Sequence, residues 1–565
     1  MTQAGTFTRV AATSMFRPHE MNPPITYFDA WTRIGATLAG HPELPHSLDA
    51  LVGEMRLCHV ANALVSFSDQ KWWDPALANR RILEDMPDFL SPLWTVVPGD
   101  GGDFPMGDAL QTALMQTRVP AVQILPKTHE WNPRGKAAGY LLDLLAEGGW
   151  PVFISLGDEV TPAEMEELAG RYPRVRWVAV NGGWFEQRAI AGLLAHTSNV
   201  SLTLHRYHAN FGIEHLVENG HGGRLLFCSN APATSMGASR AYVDWAGIPD
   251  ETKRAIAGEN LRRLLKFQPP SQLEEFDPPD SLIQDAMNGS PLQCGAIDFH
   301  SHILEDGVHT GGLPVMLHGD AAGIKRMADS IGISQIGVMS WVGIQSKRQD
   351  EGHLPVIKAV ENDPDRFWGL ATIQVERKSD EQKVSELDAL VSGRRILGIK
   401  PYPTFGLAYD DPQYAAIWRY AEENGLYAGI HPFHWYQPDE FVSLCTRYPK
   451  LKVVAYHAGC TYEIADTVIT LCRKFPNLYA EINYSSVTGG IIKYLVEGCG
   501  EDRVLFGTDQ PLRDPRQQLG WVVYSRLSEE TKIKILRTNA EQLLASVRMN
   551  APSQYSGCKT LAGMS

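Results

Sequence analysis

A chain of 565 residues is longer than the roughly 250–300 residues that one hydrophobic core organises, so two large domains are expected. With 44% hydrophobic and 21% charged residues, and 14 Trp, the composition is that of a packed globular protein and excludes a mainly disordered chain. A net charge of -14 gives no electrostatic reason to bind nucleic acid or an anionic membrane, which leaves a small-molecule substrate or other proteins as partners.

Residues 1–24 carry Arg9 and Arg17, no acidic residue before Glu20 and no secretory apolar run, and are expected to form a disordered tail. The eight cysteines form no CxxC pair, and no stretch nears the roughly 20 apolar residues of a membrane span. A reducing, cytoplasmic setting is expected. From residue 25 onward the chain repeats itself. YPRVRWVAVNGGWF from Tyr172 matches YPKLKVVAYHAGCT from Tyr448, and RLLFCSNAP from Arg224 matches RVLFGTDQP from Arg503, at offsets of about 276 and 279. IPDETKRAIAGENLRRLL from Ile248 likewise matches LSEETKIKILRTNAEQLL from Leu527. VQILP from Val122 falls opposite IKPYP from Ile399, and TYFDAW from Thr26 opposite the region of IDFHSH from Ile297.

Within each copy, short β-branched or apolar runs alternate with amphipathic helical stretches, the pattern of βα units around a parallel sheet. The predicted fold class is α/β, as two tandem (β/α)8 TIM-like barrels of about 250 residues each. The first copy spans 25–266, a Pro-rich linker 267–293, the second copy 294–548, and a disordered tail 549–565. In the second copy the strands are expected over 296–300, 335–340, 368–373, 398–400, 427–431, 453–457, 478–483 and 504–509.

Those strands end in metal-ligand residue types. His300 and His302 stand two apart, so that both imidazoles leave one strand on the same side. Lys400 ends the fourth strand, His431 the fifth, His457 the sixth and Asp509 the eighth, and a barrel gathers such ends at one mouth. Neutral imidazoles and a carboxylate suit zinc and tolerate manganese or iron. Taken singly, a buried histidine such as His457 is more often a hydrogen-bonded core residue, and Lys400 could merely neutralise carboxylates. His434 and Trp435 could line a pocket or pack, His309 and His318 default to surface positions, and Lys347 with Arg348 would suit a substrate carboxylate.

DFHSH, GIKPYP, AGIHPFHW, AYHAG and LFGTDQP together resemble, in order and spacing, the signatures of the amidohydrolase superfamily, in its amidohydrolase-related branch. The resemblance implies one divalent metal, zinc before manganese or iron, held by His300, His302, His431 and Asp509. It implies catalytic roles for His457 and Asp509 and a substrate contact for Lys400. A carboxylated Lys400 bridging two metals, with His431 and His457 on the second, is the binuclear alternative.

In the first copy every key position differs: His300 and His302 fall opposite Asp29 and Trp31, Lys400 opposite Gln123, His431 opposite Ser155, His457 opposite Asn181 and Asp509 opposite Asn230. No metal site of this type survives there. Two roles are open for this degenerate barrel: a partner in an intrachain pseudo-dimer, lending side chains to the active mouth, or a separate regulator pocket around Trp31, Asn181 and Asn230. The expected activity is metal-dependent hydrolysis of a small acidic amide, ester or lactone. Nonoxidative decarboxylation of an aromatic or unsaturated carboxylic acid is the runner-up, and a metal-free binding scaffold the reading from another class.

Overall fold

The computed structural model describes residues 25–549 apart from 38–39, 85, 347, 403–405 and 432–437, with the side chains of 548 and 549 also outside it. The expected tails therefore lie outside the described residues, except for Met549 at the end of the last helix.

Two eight-stranded, all-parallel sheets follow one another along the chain, each strand pairing with the next in sequence. The first comprises β1 (Tyr27–Ile34), β2 (Val60–Phe67), β3 (Leu90–Thr95), β4 (Ala121–Gln123), β5 (Val152–Ser155), β6 (Trp177–Val180), β7 (Val200–Thr203) and β8 (Leu225–Leu226). The second comprises β9 (Ala296–Ile303), β10 (Ile333–Ser340), β11 (Phe367–Ala371), β12 (Ile396–Ile399), β13 (Tyr427–Ile430), β14 (Lys452–Ala455), β15 (Leu478–Ile482) and β16 (Val504–Phe506). Helices between the strands cover the outer face, which is why most of these runs are apolar on both sides. The last strand returns to the first in each sheet: the Ala30 N–H bonds Phe227 C=O at 3.0 Å, and the Asp509 N–H bonds His300 C=O at 2.7 Å. The result is two tandem (β/α)8 barrels. All eight strands expected in the second copy are present, but β12, β13, β14 and β16 stop short of Lys400, His431, His457 and Asp509. His457 and Asp509 have φ of 63° and 62°, a left-handed conformation that breaks the ladder and swings the side chain over the barrel mouth.

The two barrels share more than sequence. The equivalent residues Asn181 and Asn230 have φ of 62° and 55°, and both barrels carry a π-helical turn, at Ala255–Glu259 and Lys534–Thr538. Their contacts are reciprocal. The Ser235 N–H bonds Val487 C=O at 2.8 Å, and its counterpart Asp514 N–H bonds His208 C=O at 2.7 Å. Each of these donors caps a wholly buried helix, α1 (Met236–Asp244) and, later in the chain, Pro515–Val523. These two equivalent helices lie against each other at Gly237 and Gly520: a Cβ on Gly520 would come within 2.3 Å of Ala241 Cβ. Such self-complementary pairing is the pattern of an isologous dimer interface.

The segment after the first barrel runs extended across it, with the Leu273 N–H on Ala61 C=O at 2.9 Å and Asn62 Nδ2 on Ser271 C=O at 2.8 Å. It then forms the short helix α2 (Ser281–Met287), which buries Leu282, Ile283 and Ala286 against α1 and the Pro515–Val523 helix, hereafter α3. Among the described residues no helix is long and apolar enough to cross a membrane.

Candidate metal centre

Asp298 organises the first strand of the second barrel. Its carboxylate accepts from the His300 N–H at 3.0 Å, Ser301 Oγ at 2.6 Å, the Thr508 N–H at 3.0 Å and Gln510 Nε2 at 3.0 Å, tying β9 to the turn after β16. Burial pushes this carboxyl up to about 6 despite those donors. The tie brings His300 and His302 against Asp509, whose Oδ1 lies 2.8 Å from His302 Nε2 and 3.6 Å from His300 Nε2. These three residues, all buried, form one group of possible metal donors, and His300, His457 and Glu481 form another.

Glu481, at the end of β15, is absent from the sequence-derived set. Its Oε2 faces His300 Nδ1 at 3.2 Å and accepts from the His457 N–H at 3.3 Å. A carboxylate on one ring nitrogen fixes the tautomer and leaves the other nitrogen's lone pair for a metal. Gly507 makes room for it, since a Cβ there would lie 2.1 Å from Glu481 Oε1 and 2.8 Å from His300 Cβ. The signal in the sequence was a carboxylate inside an otherwise apolar strand, LYAEI. Arg513, four residues past Asp509, was also missed. It pairs with Asp509 Oδ2 and donates from Nε to Ser485 Oγ at 2.5 Å.

Burial holds His300, His302 and His457 well below the usual histidine range, and neighbouring basic groups add to it: Lys400 for His300, Lys400 and Arg513 for His302, and His431 and Arg513 for His457. All three rings are neutral and keep a lone pair. The Asp509 Oδ1 atom is buried and makes no hydrogen bond among the described residues although His302 Nε2 is 2.8 Å away, and a divalent cation would satisfy such an oxygen beside two imidazoles. His300, His302 and Asp509 therefore fit a metal.

The remaining expected residues are distributed as follows. His431 lines the cavity with its ring 4.8 Å from that of His457, outside both donor groups. Lys400 is fully buried and does not line the cavity. Its Nζ lies 2.9 Å from His300 Nε2 and 4.3 Å from the Tyr456 ring, and burial pulls its amine well below the ordinary lysine value. His457 Nδ1 bonds the Asn483 amide oxygen. Arg348 is exposed and pairs with Glu351, while His309 and His318 pack edge to face beside Phe211 of the first barrel. Lys347, His434 and Trp435 lie outside the described residues.

The mouths of both barrels open into one cavity of about 1040 Å³. His302, His431, His457, Asp509 and Arg513 line it from one side, and Arg33, Asn181, Trp184, Arg206 and Asn230 from the other. Trp184 donates from Nε1 to Ser485 Oγ at 3.0 Å and lies 5.4 Å from the Arg513 guanidinium, so the first barrel reaches the second barrel's site.

The geometry corrects one sequence alignment. Asp29 accepts from the Trp31 N–H at 3.0 Å and from Ser229, as Asp298 does from His300 and Thr508. The Asn230 N–H bonds Trp31 C=O at 3.0 Å, as that of Asp509 bonds His300 C=O. Asp29 is thus the counterpart of Asp298, so His300 faces Trp31 and His302 faces Arg33. The buried aspartate, rather than the first histidine, is the anchor common to both strands.

The family pattern of the amidohydrolases matches residues 44–267 and again 297–545. The chain belongs to the amidohydrolase family, twice over. A search of curated proteins found none that matches this amidohydrolase. Among solved structures it is similar to 2,6-dihydroxybenzoate decarboxylase from Rhizobium, at 16% identity and a TM-score of 0.37, covering 44% of this chain and 98% of that one. It is similar to 5-carboxyvanillate decarboxylase from Sphingomonas paucimobilis, at 15% identity and 0.34, covering 45% and 99%. A structure from Acinetobacter baumannii named as a "probable 2-pyrone-4,6-dicarboxylic acid hydrolase" is similar at 17% identity and a TM-score of 0.35, covering 44% of this chain and 99% of that one.

Proposed function

We propose that this amidohydrolase is a metal-dependent hydrolase that opens an amide, ester or lactone bond in a small acidic molecule, with water as the nucleophile. The observation that carries this reading is the Asp509 Oδ1 atom: buried, making no hydrogen bond, beside two neutral imidazoles, and on a residue that lines the cavity. A zinc, manganese or iron ion held by His300, His302 and Asp509 supplies Lewis acidity and lowers the pKa of water toward about 7. The Asp509 carboxylate, held on Oδ2 by Arg513, would accept the proton of the attacking water. His457 keeps Nδ1 on Asn483, which leaves Nε2 as its acceptor. Being neutral, it must receive a proton before it can pass one to the leaving group. The Arg513 guanidinium in the cavity wall suits a substrate carboxylate.

Nonoxidative decarboxylation is the second reading, favoured by Arg513 lying between Trp184 and Tyr484, 5.4 and 5.0 Å from their rings, as a clamp for a carboxylate on a planar acid. Water is then not the nucleophile, and His457 or Asp509 delivers a proton to carbon. The full-length protein, supplied with zinc or manganese, is incubated in H2 18O with lactones, esters, amides and carboxyl-13C hydroxybenzoates. One 18O in a new carboxylate, lost in Asp509→Asn, is the expected result. Release of 13CO2 without 18O incorporation replaces hydrolysis by the second reading, and absence of bound metal after supplementation removes both.

A further inference from the structure

Arg33 holds in the first barrel the place that His302 holds in the second. Both lie two residues past the strand residue whose carbonyl receives the N–H of the last loop, Trp31 for Asn230 and His300 for Asp509. Arg33 Nη2 donates to Asn230 Oδ1 at 3.4 Å, where His302 Nε2 lies 2.8 Å from Asp509 Oδ1. Between the two barrels, a neutral imidazole corresponds to a guanidinium and a carboxylate to a neutral amide. The metal-holding groups are gone, and a permanent positive charge stands in their place.

That charge lacks a near counterion. Among the described residues no carboxylate lies within 4.0 Å of Arg33; Asp158 acts on it from farther away, and burial pulls its pKa down. The guanidinium sits 5.3 Å from the Trp31 ring, on the wall of the cavity that His302, His457 and Asp509 also line. Arg206 lines the same wall, and His205 beside it is kept neutral, pushed down to about 3 by burial. A cavity of about 1040 Å³ lies at the upper end of the roughly 300–1,000 Å³ of small-molecule sites, which gives an elongated acid room to reach from one mouth to the other.

We propose that the mouth of the first barrel binds a carboxylate on the Arg33 guanidinium, so that the shared cavity has a metal-type site at one end and a fixed anion site at the other. The planar fork of Arg33 pairs with a carboxylate through two N–H donors, which lysine does not reproduce. The carboxylate is either the far acidic group of the molecule that reacts at Asp509 or a second, separate acid. The site stands whichever reaction the second barrel performs.

Calorimetric titration of the full chain tests it, with benzoate and isophthalate as probes and His302→Ala to remove the metal-type site. Benzoate is expected to bind His302→Ala at one equivalent. Adding Arg33→Met should weaken it at least tenfold, and Arg33→Lys should weaken it less. Asn230→Asp, which sets an internal carboxylate against an intact Arg33, should weaken it as Arg33→Met does and guards against a folding defect at Arg33. In metal-loaded wild-type protein, one equivalent of isophthalate weakened by either single variant identifies a spanning diacid. Two equivalents, one removed by each variant, identify a separate acid. No benzoate binding by His302→Ala, or binding that Arg33→Met and Asn230→Asp leave unchanged, overturns the proposal.

Discussion

The two barrels have kept one scaffold and parted at the mouth, and the parting is made of paired exchanges. In the second barrel Glu481 occupies space that Gly507 leaves open; in the first, Thr203 and Cys228 stand at those positions, a small residue and a side chain in place of a large residue and none. His457 with Asn483 becomes Asn181 with His205, the same ring-to-amide hydrogen bond with the residue types reversed, 2.7 Å between His205 Nε2 and Asn181 Oδ1. His302 with Asp509 becomes Arg33 with Asn230. Each exchange preserves volume or hydrogen bonding while removing a metal donor or its support. Changing a ligand alone would leave a cavity or an orphaned polar group, each costing about 1–3 kcal/mol, and the paired differences leave packing and hydrogen bonding satisfied in both barrels.

The comparison can be broken most sharply at the ligands. His300→Ala and His302→Ala should each lose the bound metal, read by elemental mass spectrometry, and cut activity at least a thousandfold, whereas Trp31→Ala should change neither metal content nor the second barrel's fold. Metal retained in both histidine variants refutes the assignment. Asp509→Asn, which gives the second barrel the first barrel's residue, should lower kcat by about 10²–10⁴, weaken metal binding and lower the thermal midpoint, because it removes a metal donor and the proton acceptor and leaves the buried Arg513 without its counterion.

The support around the ligands should matter less. Gly507→Ala drives a methyl into Glu481 and is expected to weaken metal affinity by about 10- to 100-fold; adding Glu481→Thr should restore the thermal midpoint but not the affinity. Trp184→Ala removes the first barrel's contact with Arg513 and should reduce kcat/KM by about tenfold at unchanged metal content, as expected of a residue that orders a substrate-binding arginine. The smallest effect is a sharpening one. Asn181→His or His205→Asn alone should destabilise by about 1–2 kcal/mol through an unpaired buried group, and the double exchange, which recreates the second barrel's pair, should recover most of it in a thermal-melt cycle.

Much of this was legible in the chain. The period of the repeat and the alternation of apolar runs with helical stretches gave both barrels, and the expected strands of the second copy missed the observed ends by only a few residues, among them the places where His457 and Asp509 leave the ladder with positive φ. That His300, His302 and Asp509 come together was legible because metal-donor residue types at successive strand ends of one barrel seldom coincide by chance. His431, expected as a fourth ligand, lies outside the donor groups, and Lys400, expected at the substrate, lies buried on His300. Spacing places a residue at a strand end but does not fix its depth or direction. The strand-one register expected from the sequence is off by two, because identity there is low and the aspartate that both strands use as a tie shows only in the hydrogen bonds.

What the sequence determined by itself is the architecture and the inventory: two βα barrels, the copy that retains the ligand types, and the copy that does not. Those follow from periodicity and residue chemistry, which are local along the chain. The tertiary structure alone decided which donors meet, that Glu481 backs His300, that Arg33 replaces His302, and that both mouths open into one cavity. Each of these joins residues tens to hundreds of positions apart, and only the closure of the sheets and the reciprocal packing of α1 on α3 set those distances.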